Sequence, residues 1–352
     1  MGVAVLVGTM KGAFVMRSAN ASRTEWDLEG PYFKGWQVTA AGRAEDGRFI
    51  VGTSSHVYGA TLHVSRDLAT WDMIEHGPRY EADEDRKLKE FWTLATTPLG
   101  IFAGVSEAGL FHAADPCGPW EQVRGLNDHV TRDAWQPGLG GLCAHVLLAN
   151  PHNPRQLWCG VSAVGVFRSD DGGESWHPKN RGVTPAIEDK EHKDIGTCVH
   201  GLALCPRDAQ TLYRQDHLGM FRSNDGAESW HENALGLPSN FGFAIKTDPN
   251  TGTLFCYPLE SDHHRLPAGG KMRVYRSTDG GSSWHTAAQG LPQEDTYATV
   301  LRGAMDVDGL DPCGVYFGTT SGTVHTSSNR GDSWQSMNYL FPRILCVEAF
   351  VI

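Results

Sequence analysis

When six segments of the sequence are aligned by their pattern, each has a polar or aromatic residue at the same position. The residues are Trp36, Trp92, His145, His200, Phe243 and Arg302, and all but Trp36 and Arg302 stand six positions before a proline. A neutral histidine can act as a general base, and an arginine can clamp a carboxylate. The sequence therefore predicts that His145, His200 and Arg302 form a catalytic group. Trp36 and Trp92 are expected to bind the ligand beside them, because an aromatic ring stacks on a sugar ring.

Further side chains are expected on the same face of the molecule, from turns and long polar loops. They are His56 and Tyr58 in SSHVYGA, Tyr80 and Trp135 in two long loops, Asp216 and His217 in RQDHLG, and Arg265 in SDHHRLPAGG. We predict that these residues contact a ligand, since loops of this length in a compact domain are usually functional or disordered. The alternative is that the polar residues only line a hydrated channel.

Two cysteines allow a second interpretation of the histidines. Cys143 and His145, like Cys198 and His200, are two residues apart on strands that should be neighbours, so each pair would face one side of its strand. Two thiolates and two imidazoles can hold a tetrahedral zinc ion. The tight CxxC spacing typical of zinc sites is missing, and we therefore predict no metal and no cofactor.

A repeated motif indicates which elements must position these residues. The pattern Ser-x-Asp-x-Gly-x-Ser-Trp occurs, with small changes, as SDDGGESW ending at Trp176, SNDGAESW at Trp230, STDGGSSW at Trp284 and SSNRGDSW at Trp334. Weaker copies end at Trp26, Trp71 and Trp120. Serine and aspartate suit hydrogen bonds within a turn, glycine permits a positive φ, and tryptophan anchors the turn to a sheet. We predict that Asp171, Asp225 and Asp279 are structural rather than catalytic.

Short apolar runs around each motif predict four strands in every unit of about 50 residues, which is the blade of a β-propeller. The fold is therefore expected to be all-β, with a single seven-bladed propeller domain over residues 1–352. The C-terminal RILCVEAFVI has the character of a first strand, and the N-terminal VAVLVGT and KGAFVMRS have that of the middle of a blade. Both termini are thus expected to close the last blade without leaving a free sheet edge.

These motifs at blade spacing resemble the Asp-box (BNR-repeat) propeller superfamily, which includes sialidases, xyloglucan hydrolases, sortilin-type receptors and photosystem II assembly factors. The resemblance spans the whole chain and implies a ligand site near the central channel, opposite the motif turns. For a sialidase, it would make Arg302 and Arg343 two of three clamping arginines, with Tyr297 or Tyr80 and Glu81 or Glu90 as the nucleophile pair. The sialidase Arg-Ile-Pro signature is missing from the N-terminus, and the similar FPRI lies at 341–344.

The composition of the chain limits the classes of partner that we expect. The formal net charge is −11 and no Lys/Arg cluster is present, so we expect no nucleic-acid partner. No apolar stretch is long enough for a membrane span, and the N-terminus lacks the pattern of a signal peptide, so we expect no membrane partner and a cytoplasmic location. The predicted function is a glycan-directed hydrolase or lyase with a small-molecule or glycan ligand. The alternative is a non-catalytic scaffold that binds a protein or a small ligand on the loop face.

Overall fold

The computed structural model describes residues 1–82 and 84–352. Within this part of the chain nearly all regular structure is β, in strands β1 to β28. The helical elements described are one short turn of α-helix, α1 (Arg124–Asn127), and two 3-10 turns, Arg132–Ala134 and Ala268–Gly270. None of these helices is long and apolar enough to cross a membrane.

Most strands form antiparallel sheets of four, and β8 to β15 make up two such groups that are joined into one eight-stranded sheet by the pairing of Cys143 with Ser106. Within a group, neighbours along the chain are neighbours in the sheet, except that β28 pairs with β1. The innermost strands are β4 (Gln37–Arg43), β8 (Glu90–Thr97), β12 (Cys143–Asn150), β16 (Val199–Cys205), β20 (Phe241–Thr247), β24 (Met305–Val307) and β28 (Ile344–Val351). The second strands are β1 (Val3–Thr9), β5 (Phe49–Ser55), β9 (Gly100–Ser106), β13 (Asn153–Ser162), β17 (Asp208–Asp216), β21 (Leu254–Leu259) and β25 (Val315–Gly318).

The outer strands complete each group. The third strands are β2 (Gly12–Ser18), β6 (Gly59–Ser65), β10 (Gly109–Ala113), β14 (Gly165–Ser169), β18 (Met220–Ser223), β22 (Val274–Ser277) and β26 (Val324–Ser327). The outermost are β3 (Asp27–Tyr32), β7 (Asp72–Met73), β11 (Glu121–Gln122), β15 (His177–Pro178), β19 (His231–Glu232), β23 (His285–Ala287) and β27 (Gln335–Ser336). This is the architecture of a β-propeller, as the sequence predicts.

The C-terminal strand β28 belongs to the same sheet as the N-terminal strands. It pairs antiparallel with β1, from Val3 opposite Val351 to Thr9 opposite Ile344. Consecutive innermost strands lie against each other, and β28 lies against β4. A channel runs between these strands, so residues on them face a common space.

The hydrophobic core lies between neighbouring sheets, and three of the motif tryptophans, Trp230, Trp284 and Trp334, connect their sheet to the one before it. Trp230 and Trp284 are 1% and 3% exposed. The indole N–H of Trp230 donates to the Lys179 carbonyl oxygen at 2.8 Å, and that of Trp284 to the Asn233 oxygen at 2.9 Å. Each acceptor lies at the outer strand of the preceding sheet. The tryptophan therefore combines burial of a large ring with a hydrogen bond across the sheet boundary.

The repeated motif forms a turn between the third and outermost strands. In the first strong copy, Asp171 Oδ1 accepts from the Ser175 amide at 3.0 Å and from the Ser169 hydroxyl at 2.7 Å. In the last copy, Asn329 Oδ1 accepts the same two bonds, from the Ser333 amide at 3.0 Å and the Ser327 hydroxyl at 2.9 Å. The side chain at this position holds the turn and is not directed at the channel.

Candidate functional site

The innermost strands share an irregularity that turns one side chain toward the channel. Ladder pairing with the second strand shifts at Thr39, Trp92, His145, His200, the Phe243–Ala244 pair and Leu345, so these residues have no partner of their own. Such bulges re-aim a side chain and are common next to functional sites. We call Thr39, Trp92, His145, His200, Phe243, Arg302 and Leu345 the channel ring, since Arg302 lies just before β24 and completes it.

All the ring residues line one cavity of about 330 Å³ at the mouth of the channel. Glu90, Arg265 and Arg343 line the same cavity, as do Lys246 and Glu348 farther along their strands. The cavity therefore contains six charged side chains, and its volume lies at the lower end of the range of small-molecule sites.

Arg302 occupies the centre of this arrangement. Its guanidinium carbon lies 5.2 Å from the centre of the Phe243 ring and 5.8 Å from that of Trp92. One terminal nitrogen donates to the Ser162 hydroxyl at 3.4 Å, while the buried Nε has no hydrogen-bond partner among the described residues. Aromatic faces stabilise the cation without neutralising it. The guanidinium thus retains donors and full charge for a ligand.

Arg265 and Arg343 add two more positive charges to the cavity wall. The Arg265 guanidinium also lies over Phe243, at 5.6 Å, and its Nε donates to the Asp262 carbonyl oxygen at 3.0 Å. Within residues 1–82 and 84–352, no ion pair involves Arg265, Arg302 or Arg343. The mouth is therefore locally positive although the chain is acidic overall, which favours an anionic ligand.

His145 is buried and its tautomer is fixed by the backbone. Its Nε2 lies 2.9 Å from the Val199 carbonyl oxygen, and because a carbonyl only accepts, this nitrogen carries the proton. Burial and then the positive Arg302 lower the pKa of His145 to about 3. The ring is therefore neutral at physiological pH, and its other nitrogen is an acceptor. A base this weak is poorly matched to proton abstraction near pH 7.

His200 is neutral for the same reasons but uses the opposite nitrogen. Its Nδ1 donates to the Gly242 carbonyl oxygen at 2.7 Å, so Nε2 is unprotonated. Burial and then Arg302 hold the pKa of His200 well below its usual value. Both ring histidines therefore offer acceptor nitrogens, which suit ligand hydroxyl groups better than they suit anionic oxygens.

Two carboxyl groups of the cavity have raised pKa values. Burial raises the pKa of Glu90, which stands two residues before Trp92 on β8. Deeper in the channel, Lys246 Nζ lies 2.9 Å from Asp306 Oδ1. Burial and the neighbouring Asp306 raise the pKa of Glu348 well above its usual range, against the opposing effect of Lys246. Glu90 and Glu348 are thus carboxyls that hold a proton more strongly than in water.

The structure brings five of the predicted site residues into the cavity: Trp92, His145, His200, Arg265 and Arg302. Trp36, His56 and Tyr58 lie outside it. Trp36 packs against Tyr58, with ring centres 5.4 Å apart, and Tyr58 is 61% exposed. The ring position expected for Trp36 is taken by Thr39, because the bulge of β4 comes three residues later than the sequence pattern indicated.

Tyr80, Trp135 and Asp216 contact their own blades and loops rather than the cavity. Tyr80 packs on Phe111, with ring centres 5.1 Å apart, and burial raises the pKa of its phenol to about 12. Trp135 is 5% exposed, in a core cluster. Asp216 is fully buried in an ion pair with Arg214. Long polar loops and turns can therefore be ordered by arginine–aromatic and ion-pair contacts without forming a ligand site.

His217 lies at the edge of the cavity beside His200, with ring centres 5.6 Å apart, and its Nε2 is 3.3 Å from Asp262 Oδ2. Two cavity residues, Lys246 and Glu348, have no place among the expectations from sequence. A signal for them exists, since each is a lone charge inside an apolar first strand, in FAIKT and ILCVEAFV.

No protein-family model and no curated protein matches the sequence. Solved structures do match the fold. YCF48 bound to a D1 peptide is 14% identical, with a TM-score of 0.52 over 86% of this chain and 82% of that one. YCF48 from Cyanidioschyzon merolae is 11% identical, with a TM-score of 0.52 over 86% and 85%. The similarity shows a shared β-propeller fold.

An ancestral GH74 enzyme is 16% identical, with a TM-score of 0.51. The match covers 86% of this chain and 36% of that one. This chain therefore corresponds to about a third of that enzyme's length. At these identities the common property is again the fold, and function has to be argued from the cavity.

Proposed function

We propose that the channel mouth binds a carboxylated sugar and that the protein is a glycan-directed hydrolase or lyase. The single observation that carries this proposal is the set of three arginines, Arg265, Arg302 and Arg343, on one cavity wall without carboxylate partners in the described chain. Arginine binds carboxylates through two parallel hydrogen bonds. A sugar acid is the ligand class that also uses the other groups there.

The neutral groups of the cavity support a sugar rather than a simple anion. Trp92 and Phe243 offer aromatic faces, and His145 and His200 offer acceptor nitrogens for hydroxyl groups. A phosphate or sulfate would leave those acceptors unused, which costs binding energy when they are buried. A ring bearing hydroxyls and one carboxylate would satisfy both sets.

For the chemical step we assign Glu90 as the proton donor, because burial raises its pKa. A carboxyl whose pKa is raised by burial gives up its proton less readily than in water, and such a carboxyl can transfer the proton to a departing glycosidic oxygen. Under this assignment the two histidines hold the substrate and do not exchange protons with it. This differs from the role that the sequence alone indicates for His145 and His200.

The finer architecture is part of the same proposal. We infer that the seven groups of four strands are seven blades of one domain over residues 1–352, and that β28 with β1, β2 and β3 makes the blade shared by both termini. A ring of this kind gives the channel a fixed diameter. Fixed geometry favours tight binding because little conformational freedom is lost.

Calorimetric titration with uronate-containing oligosaccharides, and with their neutral counterparts of the same linkage, tests the binding proposal. We expect the acidic sugar to bind at least about tenfold more tightly, and Arg302→Gln to lose about 10- to 100-fold, the value of one or two charge-assisted hydrogen bonds. Arg207→Gln, an exposed arginine on the β16–β17 turn, is the matched control and should bind normally. Equal binding of acidic and neutral sugars would refute the proposal.

Catalysis is tested separately with Glu90→Gln. Loss of a general acid lowers turnover by about 10²- to 10⁴-fold, while binding should change by less than about threefold, since the amide keeps the size and polarity of the carboxyl. New reducing ends without an unsaturated-uronate absorbance indicate a hydrolase, and new reducing ends together with that absorbance indicate a lyase. If the sugar binds and neither product forms, the protein is a sugar-binding module and the enzymatic part of the proposal is refuted.

A second candidate is a scaffold that binds a peptide, and one observation favours it. The YCF48 structure of similar fold is bound to a D1 peptide. A peptide ending in a free carboxylate would also suit Arg265, Arg302 and Arg343. Titration with short peptides that are either free or amidated at the C-terminus distinguishes the two ideas, because only the scaffold predicts that free peptides compete with the sugar acid.

A further inference from the structure

Three potential metal ligands converge at the edge of the channel mouth. Cys198, His200 and His217 each have one ligand atom, and these atoms all lie within 4.8 Å of one another. The distance between Cys198 Sγ and His200 Nε2 is 3.6 Å. In a tetrahedral zinc site, metal–sulfur and metal–nitrogen bonds of about 2.3 and 2.05 Å put sulfur and nitrogen about 3.5 Å apart. We propose that Cys198, His200 and His217 bind a single zinc ion.

The backbone places the three residues together. Cys198 stands directly before β16, and His217 directly after β17, its partner strand. The His217 amide donates to the Cys198 carbonyl oxygen at 2.9 Å, which sets the two residues opposite each other. His200 sits at the bulge of β16, so its ring leaves the ladder on the same side. The arrangement is part of the sheet and does not depend on a flexible loop.

Hydrogen bonds already select the tautomers that a metal site needs. Metal-bound histidines usually donate their second nitrogen to a carbonyl or a carboxylate. His200 Nδ1 donates to the Gly242 carbonyl oxygen at 2.7 Å, which leaves the lone pair of Nε2 toward Cys198. His217 Nε2 lies 3.3 Å from Asp262 Oδ2, a carboxylate partner of the same kind.

Without a cation, the lone pairs of this cluster outnumber the hydrogens that can satisfy them. A neutral thiol has one hydrogen, which His200 Nε2, 3.6 Å away, can accept, and the ligand atom of His217 lies within 4.8 Å of both. Ser162 is the other polar side chain within reach, with its hydroxyl 3.4 Å from Cys198 Sγ, and it also accepts from Arg302. A divalent ion bound to the thiolate and both nitrogens satisfies all three lone pairs at once.

The ligand set also indicates the metal and its coordination. One thiolate and two imidazoles suit Zn²⁺ among the divalent ions, since calcium and magnesium prefer oxygen ligands. Three protein ligands leave the fourth position for water or substrate, as in open zinc sites. Of the three ligand residues, His200 lines the channel cavity. The zinc would be independent of the sugar-binding arginines and goes beyond the proposed function.

The test is elemental analysis of protein purified without a histidine tag and dialysed against zinc and then metal-free buffer. We expect about one zinc per chain in the native protein and less than about 0.2 in Cys198→Ser and His217→Ala. The matched controls are Cys205→Ser, at the far end of β16, and His231→Ala, an exposed histidine on β19, and both should retain zinc. Circular dichroism checks that every variant is folded.

Cobalt substitution gives a second readout that does not depend on catalysis. Thiolate-bound Co²⁺ shows a sulfur-to-metal charge-transfer band, which should be present in the native protein and in Cys143→Ser and absent in Cys198→Ser. Less than about a tenth of an equivalent of zinc together with no charge-transfer band would overturn the proposal. Loss of metal in Cys143→Ser with retention in Cys198→Ser would equally overturn it. Zinc would take the place of a sugar hydroxyl at His200 Nε2. The binding proposal rests on the three arginines, so a negative zinc result leaves it standing and the two proposals fail separately.

Discussion

Replacing Asp216 by Asn should destabilise the protein strongly, because it leaves a buried cation unpaired. Arg214 and Asp216 have side chains that are both fully buried. The Arg214 Nε donates to Asp216 Oδ2 at 3.0 Å, and Nη1 donates to Asn180 Oδ1 at 2.8 Å. Its guanidinium also lies over the ring of Trp230, at 5.6 Å. The amide of the variant keeps the shape of the carboxylate but removes its charge and replaces one acceptor oxygen by an NH2 donor, which faces either Arg214 or the Leu218 amide.

The magnitude follows from burial and chain length. Breaking a buried ion pair by removing one partner costs about 3–5 kcal/mol. An unfolding entropy of about 2.1 cal/mol/K per residue gives roughly 740 cal/mol/K for this chain. The melting temperature should therefore fall by about 4–7 °C, if the whole chain unfolds together.

Differential scanning calorimetry at neutral pH measures this shift. The matched control is Asp332→Asn, because Asp332 pairs with Arg276 but is 64% exposed. A pair so exposed contributes less than about 1 kcal/mol, so the control should shift by at most about 1 °C. If the two variants melt at the same temperature, the buried pair does not stabilise the sheet in the way argued here.

Two further changes have defined outcomes. Burial and Asp306 raise the pKa of Glu348, so the stability that this group contributes is full below its unfolded pKa of about 4.3 and is lost as pH rises toward the folded value. The melting temperature of Glu348→Gln should therefore rise relative to that of the native protein between about pH 4 and pH 8. A difference in melting temperature that stays constant over this range would contradict the prediction. Asp279→Ala removes the acceptor of the Ser283 amide, 2.9 Å away, and of the Ser277 hydroxyl, 2.7 Å away, so we expect a loss of about 1–2 kcal/mol in urea denaturation, with an unchanged midpoint as the contrary result.

The propeller fold could be predicted from sequence because its repeat is carried by local chemistry. The turn needs Ser, Asp and Gly at fixed spacings, followed by a tryptophan. The same sequence motif is therefore found wherever the turn recurs. Asn329 shows the tolerance of the rule, since its Oδ1 accepts the same bonds as the aspartate it replaces. The predicted all-β propeller is confirmed by the strand arrangement and by solved structures of similar fold.

The site was less accessible to sequence analysis, because it depends on register. Trp36 and Thr39 are three residues apart, and only the position of the bulge decides that Thr39 faces the channel. Proline spacing located Trp92, His145 and His200 because their strands end at an equivalent turn. Burial left no such mark: RQDHLG contains both Arg214 and Asp216, but nothing in it distinguishes their buried ion pair from exposed groups that could contact a ligand.

The bulges of the innermost strands allow the residues that line the channel to be substituted without changing the sheets behind them. A bulged residue has no cross-strand partner, so its identity can change without altering the hydrogen-bonded ladder behind it. Equivalent bulge positions of this one molecule already hold four different residue types, at Thr39, Trp92, His145 and Leu345. Combinatorial libraries restricted to the channel ring should therefore yield folded proteins with new ligand preferences, while libraries one residue to either side should mostly fail to fold.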